Sequence, residues 1–241
     1  MRLREPVSTD VQTTFNELVQ RRTGGAPVAY LTGHREFMGL DFMVSPAVLI
    51  PRPETELLVE WAIAWLQRRQ RAEVVDIGTG SGAIAISLAA TIDPSHQVTA
   101  SDISATALAI ATQNANTVLS PPQRERLRFV QGSLLDWRNK PVDLILANLP
   151  YLTPDQIAGN PDLAAEPELA LDGGSDGLDL VRALIERAPD LLVDDGAIGL
   201  ELDPSQMTTT NSLLQHAFPG SVISVIPDLA GHDRHIVMTR A

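Results

Sequence analysis

The sequence predicts a three-layer α/β domain with a mostly parallel sheet, an antiparallel end strand and a small N-terminal appendage. From residue 73 onward, short apolar runs typical of buried strands alternate with runs of helical periodicity, which is the pattern of βαβ units. A glycine-rich segment lies between the first of these strands and the helix after it, where many α/β proteins bind ligands. The chain has 241 residues, enough for one such domain with a small addition.

The first fifty residues are predicted to form a smaller segment in front of the sheet. Residues 8–22 have a helical pattern with one apolar face, and two glycines follow it. Residues 36–50 contain short apolar stretches interrupted by glycine and proline, which indicates a β-hairpin. We therefore divide the chain into a helix-and-hairpin segment, residues 1–50, and a main domain, residues 51–241.

Helices and strands alternate through the main domain. A proline at the start and glutamates in the first turn favour a helix from Pro53 to about Trp65. The predicted strands are residues 74–77, 97–101, 127–130, 142–147, 197–201, 222–226 and 235–239. The predicted helices between them are residues 83–91, 105–119, 178–188 and 205–217. A short link joins the last two strands, so we expect them to pair antiparallel at one end of the sheet.

Composition and charge exclude several classes of protein. Hydrophobic residues make up 44% and charged residues 20% of the chain, which is typical of a globular domain and not of disorder. The absence of cysteine excludes disulfides, thiol nucleophiles and cysteine-bound metals, and it fits a cytoplasmic location. The most apolar window, residues 74–92, is interrupted by Asp76 and three glycines, so a buried strand–turn–helix is predicted there and not a membrane span.

The glycine-rich turn, residues 76–82, narrows the choice of ligand. Glycine permits positive φ angles and lets the backbone approach a ligand closely. The glycines alone also match the loose fingerprint of dinucleotide-binding proteins, so the acidic residue decides. We expect the Asp76 carboxylate to point into the same crevice, where it would repel a pyrophosphate and attract the sulfonium and ammonium groups of S-adenosylmethionine. The sequence therefore favours S-adenosylmethionine as the cofactor.

A second acidic residue supports this choice of cofactor. Asp102 lies 20 residues after Gly82, at the end of the second strand of the main domain. A carboxylate at this position can accept hydrogen bonds from both ribose hydroxyls of an adenosine group. The structural alternative is that the glycines only make a tight connection and that Asp102 only caps the helix after it.

The segment Asn148-Leu149-Pro150-Tyr151 begins an irregular stretch, residues 148–175, that is longer than ordinary loops. It follows a strand, and the carboxyl ends of strands are where open α/β sheets bind ligands. An asparagine oxygen and a neighbouring backbone carbonyl can accept both N–H groups of a planar amide and hold its nitrogen toward a methyl donor. Pro150 stiffens the turn, and Tyr151 offers a flat face for the amide. The structural alternative is a proline turn with a half-buried tyrosine.

The glycine turn and this segment together resemble the signature of the amino-group-specific methyltransferases, whose motif is Asn-Pro-Pro-Tyr. Other segments are similar to the protein-(glutamine-N5) methyltransferases that modify class I peptide-chain release factors. They are residues 30–33 with 35–37, residues 49–56, and residues 166–167 with 170–174. The similarity covers about residues 20–240 and therefore includes the whole predicted main domain.

This resemblance implies a Rossmann-like, S-adenosylmethionine-dependent methyltransferase fold in a cytoplasmic enzyme. It implies that the substrate is the glutamine in the Gly-Gly-Gln motif of a class I release factor, methylated at its side-chain nitrogen (N5). Asn148, Leu149, Pro150 and Tyr151 would hold the glutamine amide, and Asn148, Pro150 and Tyr151 are the catalytic members of this set. The residues assigned to the cofactor are Asp76, Gly78, Thr79, Gly80, Ser81, Gly82, Asp102, Leu134 and Asn148. Arg52 lies in a loop that is expected to border the cofactor pocket.

Three features depart from the family pattern. Leu149 replaces the first proline of the motif, but the group used there is a backbone carbonyl, so we expect the chemistry to survive. Ser133 stands where relatives often have an acid near the adenine amine, and either Leu134 or Asp136 compensates. One helix precedes the hairpin where members usually have a longer helical docking domain, so we interpret residues 1–50 as a shortened remnant of that substrate-docking domain.

Two other functions are left open by the residues alone. An adenine-specific nucleic-acid methyltransferase could use the same site, but it would need a basic channel, which the net charge of −12 argues against. A non-catalytic binding module of the same fold is the other alternative. No metal site is predicted, because the spacing of His232 and His235 places their side chains on opposite faces of a strand.

Overall fold

The computed structural model describes residues 7–241, and every strand and helix predicted for the main domain is present in it. The strands are β1 (His34–Phe37), β2 (Leu40–Met43), β3 (Glu73–Ile77), β4 (Gln97–Asp102), β5 (Leu127–Gln131), β6 (Val142–Ala147), β7 (Leu192–Glu201), β8 (Val222–Pro227) and β9 (Asp233–Thr239). The helices are α1 (Thr9–Thr23), α2 (Val28–Thr32), α3 (Pro53–Leu66), α4 (Ala83–Thr91), α5 (Ala105–Val118), α6 (Pro121–Arg124), α7 (Pro154–Ala158), α8 (Asp179–Arg187) and α9 (Met207–Ala217).

The main sheet has seven strands in the order β5-β4-β3-β6-β7-β9-β8. The first five strands in this order are parallel, and β9 runs antiparallel to both β7 and β8. The predicted antiparallel pairing of the last two strands at one end of the sheet is therefore confirmed. The reversed strand is β9, which lies one position inside the edge strand β8.

The register of the central strands brings three segments of the chain to one edge of the sheet. Ile77, the last residue of β3, pairs with Ser101 in β4 and with Ala147 in β6. Because the three strands are parallel, the loops that follow them start side by side. The glycine turn, Asp102 and Asn148 consequently lie next to one another, although they are far apart in the sequence.

Both faces of the sheet are covered by helices. One core packs α3 and α4 against the sheet and contains Val74, and the opposite core packs α8 and α9 and contains Val75. These neighbouring residues point to opposite faces because side chains alternate along a strand. A parallel sheet buried on both faces favours strands that are mostly apolar, which fits β3 and β6 apart from Glu73, Asp76 and Asp143.

The N-terminal segment contains the predicted helix, but the hairpin spans residues 34–43 and not 36–50, and the short helix α2 before it is not predicted. Helix α1 starts after its N-cap Ser8, yet none of its side chains is buried and Phe15 is 59% exposed. In the hairpin of β1 and β2, by contrast, Phe37 and Phe42 pack edge to face within the core of the main domain. The division of the chain at residue 50 therefore stays a prediction, since the hairpin and the main domain share one core.

Two predicted elements differ in detail. The stretch 148–175 is not irregular throughout, because α7 and 3₁₀ turns at Pro161–Leu163 and Glu168–Ala170 lie within it. Helix α7 forms there because Thr153 and Gln156 make a reciprocal capping box at its start. Strand β7 begins at Leu192 and not at residue 197. Among residues 7–241, no helix combines the length and apolar character needed to cross a membrane.

Candidate active site

The carboxyl ends of β3, β4 and β6 border a cavity of about 420 Å3, which we call the cofactor cavity. Its volume lies within the range of small-molecule sites, roughly 300–1,000 Å3. The predicted cofactor-binding residues that line it are Gly78, Gly80, Asp102, Leu134 and Asn148. Another cavity, of about 530 Å3, lies at the opposite ends of the strands, and none of the predicted site residues lines it.

The glycine turn is held in a conformation that needs glycine. Gly78, Gly80 and Gly82 have φ angles of 71°, 56° and 84°, in the left-handed region where a side chain is disfavoured. A Cβ on Gly82 would lie 2.7 Å from the side chain of Ile86, so the start of α4 could not pack as it does. The backbone N–H groups of Gly78 and Thr79 both donate to the Ser101 carbonyl at 2.9 Å. These bonds fix the turn at the edge of the cavity.

Asp102 lines the cavity between the glycine turn and α5. Its Oδ2 accepts a hydrogen bond from the Gly80 N–H and its Oδ1 one from the Ser104 N–H, both at 2.9 Å. The N-cap of α5 is Ser104, whose hydroxyl accepts from the Ala107 N–H. The alternative interpretation of Asp102 as a simple helix cap is therefore wrong.

Asp76 does not line the cofactor cavity, so the prediction that its carboxylate points into this crevice is wrong. The side chain is fully buried on the face of the sheet that α4 covers. Its Oδ2 accepts hydrogen bonds from the Thr79 hydroxyl at 2.6 Å and from the Ala85 N–H at 3.2 Å. Asp76 points there because side chains alternate along β3. Its observed role is to hold the glycine turn against the start of α4.

Three other residues assigned to the cofactor are placed in the same supporting layer. Thr79 and Ser81 are buried, and neither they nor Gly82 line the cofactor cavity. Thr79 donates to Asp76, and the Ser81 carbonyl accepts a hydrogen bond from Asn114 at 2.9 Å. The glycine turn thus meets the cavity through Gly78 and Gly80, while the residues between and after them anchor it.

The buried carboxyl of Asp76 predicts a pH-dependent stability. Burial raises its pKa to about 7, although the hydrogen bonds from Thr79 and Ala85 oppose the shift. The unfolded chain loses this proton near the ordinary Asp pKa of about 3.9, and the folded protein keeps it to higher pH. The contribution of Asp76 to stability is therefore lost as the pH rises through about 7.

We expect Asp76→Asn to remove this pH dependence while keeping the shape of the side chain. Between about pH 5 and pH 8, the free energy of unfolding of the wild type should fall by roughly 2–3 kcal/mol more than that of the variant. Denaturant titrations of both proteins across this range measure the difference, and all other acids are common to the two. Parallel pH profiles would show that the proton is not held in the fold.

Asn148 presents an oxygen that has no partner. Its Nδ2 donates to the Thr55 hydroxyl at 3.1 Å, while its Oδ1 is buried without a hydrogen bond from any described residue. Buried polar atoms are normally hydrogen-bonded, so an orphaned acceptor beside a cavity indicates a place for a donor from a ligand. The backbone carbonyl of Leu149 likewise accepts no hydrogen bond within residues 7–241.

A second cavity, of about 540 Å3, meets the cofactor cavity at this point, and we call it the substrate cavity. Asn148 and Leu149 line both cavities, whereas Tyr151 lines only the substrate cavity and Pro150 only the cofactor cavity. The Asn-Leu-Pro-Tyr turn is thus the wall between them. A group entering from one side and a group bound on the other would meet at the Asn148 side chain.

The turn rests on glycines whose role was not predicted. A Cβ on Gly173 would lie 2.6 Å from the Pro150 carbonyl oxygen, and a Cβ on Gly177 would lie 2.1 Å from that of Tyr151. Gln206 also donates to the Tyr151 carbonyl, at 2.8 Å. Gly173 belongs to a segment that matched the family pattern, and that match was the available signal, but sequence alone assigned it no function.

Comparisons with known proteins agree with this geometry. Family models match residues 74–160 as a methyltransferase domain and residues 1–33 as a PrmC N-terminal domain. A release factor glutamine methyltransferase of Moorella thermoacetica is 41% identical over 235 residues, 97% of this chain and 82% of the relative. One of Deinococcus radiodurans is 40% identical over 238 residues, 98% of this chain and 83% of the relative.

The chain belongs to the release factor glutamine methyltransferases. A solved structure of a protein-(glutamine-N5) methyltransferase (release factor-specific) from Alicyclobacillus acidocaldarius is 30% identical, with a TM-score of 0.50. It covers 83% of this chain and 99% of its own. The resemblance found in the sequence and the methyltransferase fold it implied are both confirmed.

In this release factor glutamine methyltransferase, the loop that carries Arg52 lines the cofactor cavity through residues 46–49, as predicted, while the Arg52 side chain itself lies at the substrate cavity. Its guanidinium pairs with the buried carboxylate of Glu166, which also accepts a hydrogen bond from the Ile50 N–H. The pair ties the loop before α3 to the loop that carries Pro167. Both loops line the cofactor cavity, so the ion pair of Arg52 with Glu166 helps to fix the shape of that cavity.

Leu134 and Asp136, the two candidates to replace the usual acid near the adenine amine, differ in their position relative to the cofactor cavity. Ser133 and Leu134 line the cofactor cavity, whereas Asp136 is exposed and does not. Leu134 has a positive φ of 42°, and its carbonyl accepts a hydrogen bond from the Trp137 indole at 2.8 Å. In this member of the release factor glutamine methyltransferases, Leu134 is therefore the better placed of the two.

The two histidines of the H-x-x-H pair do not lie on opposite faces of one strand as predicted, because β9 begins at Asp233. His235 in β9 is fully buried, with its Nε2 3.5 Å from a carboxylate oxygen of Glu201. His232 precedes the strand and is exposed beside Asp228. No cluster of three or more possible metal ligands occurs in the part of this methyltransferase that the structure describes.

Proposed function

We propose that this protein transfers a methyl group from S-adenosylmethionine to the side-chain amide nitrogen (N5) of the glutamine in the Gly-Gly-Gln motif of class I release factors. The observation that carries the proposal is the unpartnered Oδ1 of Asn148 at the junction of the two cavities. A primary amide supplies the N–H donors that this oxygen lacks. The family to which the chain belongs names the protein that would bring such an amide.

The residues of the cofactor cavity fit an adenosyl sulfonium ligand. Gly78 and Gly80 expose backbone to the cavity, and the Asp102 carboxylate lies where ribose hydroxyls can donate to it. Ser133 and Leu134 border the remaining space, together with apolar side chains such as Ile103 and Leu180. When bound, S-adenosylmethionine supplies an electrophilic methyl group on a positively charged sulfur.

Asn148 and Leu149 would hold the glutamine amide from the substrate cavity. The Asn148 Oδ1 accepts one N–H and the Leu149 carbonyl the other, which fixes the plane of the amide and directs its nitrogen toward the cofactor cavity. Both acceptors also stabilise the positive charge that develops on the nitrogen during transfer. The proton released afterwards leaves to water, so this site needs no general base.

Tyr151 is suited to packing against the amide and not to proton transfer. Burial raises the pKa of its phenol above the ordinary value, and the neighbouring carboxylate of Glu201 adds to the shift. The side chain therefore stays neutral at physiological pH and offers an apolar aromatic face. Pro150 restricts the turn that positions this ring, because its own φ is fixed.

Transfer of labelled methyl groups tests the proposed function. The purified protein is incubated with methyl-labelled S-adenosylmethionine and, in separate reactions, a class I release factor, the same factor with the motif changed to Gly-Gly-Ala, and DNA. Label should enter only the unchanged release factor. Label on DNA alone would favour an adenine-specific enzyme, and cofactor binding without transfer to any substrate would favour a non-catalytic module. Either result would overturn the proposal.

Asp102→Ala is expected to weaken binding of S-adenosylhomocysteine by at least about tenfold. Each lost hydrogen bond to a charged acceptor is worth about 1.5–3 kcal/mol before water compensates. Isothermal calorimetry measures the change, and Asp10→Ala is the matched control because it removes an exposed acid outside both cavities. Equal affinities for the two variants would show that Asp102 does not contact the ligand.

A further inference from the structure

We propose that Thr55 and Glu201 are positioning residues that hold the Asn148 side chain with its oxygen facing the substrate amide. The inference rests on the proposed function, in which Asn148 and Leu149 form a clamp for the glutamine amide. It adds the groups that decide which end of the Asn148 amide faces the substrate. The three residues are joined by consecutive hydrogen bonds.

The chain of hydrogen bonds begins at the end of β7. Glu201 Oε2 accepts a hydrogen bond from the Thr55 hydroxyl at 2.6 Å, and the same hydroxyl oxygen accepts one from Asn148 Nδ2 at 3.1 Å. Thr55 and Glu201 are buried, with 4% and 2% of their surface exposed. Burial keeps water from competing for these groups, so each must be satisfied by the others.

The direction of each bond follows from the number of protons available. A carboxylate can only accept, so the single proton of the Thr55 hydroxyl is directed to Glu201. The lone pair left on Thr55 faces Asn148, and only the Nδ2 end of that amide can donate to it. The Asn148 Oδ1 is consequently turned away from Thr55, which agrees with its lack of any partner among the described residues.

The reversed amide would be unsuitable for the reaction. It would place Asn148 Oδ1 against the Thr55 oxygen with no proton between them. It would also direct the Nδ2 donors at the N–H groups of the glutamine, where an acceptor is needed. Glu201 therefore decides, through Thr55, whether Asn148 turns its Oδ1 or its Nδ2 toward the substrate. Its own side chain lines neither cavity.

The three groups are held by different rigid elements. Thr55 lies in the first turn of α3, Glu201 is the last residue of β7, and Asn148 follows β6 directly. Strands β6 and β7 are neighbours in the sheet, with Ala147 paired to Leu200. The His235 imidazole lies 3.5 Å from the same Glu201 oxygen and encloses it on the side of β9. Side chains supported in this way keep a fixed geometry, as a clamp requires.

Single-turnover and steady-state methylation of a release factor by Thr55→Val and Thr55→Ser test the proposal. The valine variant has a similar shape but no hydroxyl, and we expect its kcat to fall about 10–100-fold, since misplaced clamps commonly cost that much. The serine variant retains the hydroxyl and should stay within about threefold of the wild type, because it preserves the interaction that acts in the transition state. Affinity for S-adenosylhomocysteine should be unchanged in both.

Glu201→Gln provides a second variant, because Thr55→Val leaves a buried carboxylate without its donor and could fail to fold. A glutamine amide can donate to Thr55, so the hydroxyl proton becomes free to bind Asn148 Oδ1. The Asn148 amide is then no longer held with its oxygen facing the substrate. We expect a fall in kcat of about tenfold or more with little change in KM. Wild-type rates in both Thr55→Val and Glu201→Gln would overturn the proposal. If the wild-type protein itself fails to methylate the release factor, the proposed function is at fault and not the positioning role.

Discussion

Asn148→Ala is expected to lower the single-turnover rate of release-factor methylation by about 100-fold or more. The side chain follows a buried strand and presents the only unpartnered amide oxygen found between the two cavities in the described residues. Without this acceptor, the glutamine amide can rotate, and its nitrogen no longer stays in line with the methyl group. The lost interaction matters most in the transition state, so methyl transfer should fall far more than cofactor affinity.

Rapid-quench methylation and calorimetry with S-adenosylhomocysteine separate these two effects. Asn139→Ala is the matched control, since Asn139 is exposed and lines neither cavity. It should behave as the wild type in both measurements. If Asn148→Ala also keeps near-wild-type rates, the clamp mechanism is wrong, although the family of the protein would stand.

Gly177→Ala is expected to lower the rate of release-factor methylation by about 100-fold or more, because the added Cβ displaces the Asn-Leu-Pro-Tyr turn. The added Cβ would lie 2.1 Å from the Tyr151 carbonyl oxygen and 2.2 Å from Gln206 Nε2. Neither distance is tolerable, and the backbone oxygen cannot move without moving the turn. Gly177 also has a φ of +73°, which disfavours alanine independently of the clash.

Gly220→Ala separates the clash from the backbone strain. Gly220 has a similar φ of +85°, but a Cβ there meets no atom within 4 Å. This control should lose about 1–2 kcal/mol of stability, the usual cost of a left-handed residue, and keep its methylation rate. Denaturant unfolding and methylation assays of both variants measure the two effects. Equal behaviour of the variants would show that the turn does not depend on Gly177.

Much of the fold and the location of the site could be predicted because they depend on local patterns. The apolar runs of the strands and the periodicity of the helices record burial directly, so the predicted element order and the parallel sheet are confirmed. The glycine turn and Asn148 follow strand ends, and parallel strands bring those ends together. Position along a strand therefore placed Gly78, Asp102 and Asn148 at one cavity.

The errors concern which neighbours a side chain meets. Asp76 was expected at the ligand because it lies in the glycine segment, yet its place in β3 turns it under α4. The loop of Arg52 borders the cofactor cavity as predicted, but the pairing of Arg52 with Glu166 and its place at the substrate cavity are not predicted. Residues 148–175 are predicted to be irregular, yet they contain α7, because Thr153 and Gln156 form a local capping box.

The sequence by itself determined the family, the succession of strands and helices along the chain, and the segments that form the edge of the cavity. Only the tertiary structure decided which end of the Asn148 amide faces the substrate, because Thr55 and Glu201 are separated by 146 residues and meet through packing. Periodicity reports whether a residue is buried but not which partner it is buried against. The partner is decided by the order of the strands within the sheet and by the packing of α3 against the sheet. This packing leaves the oxygen of Asn148 free for a substrate.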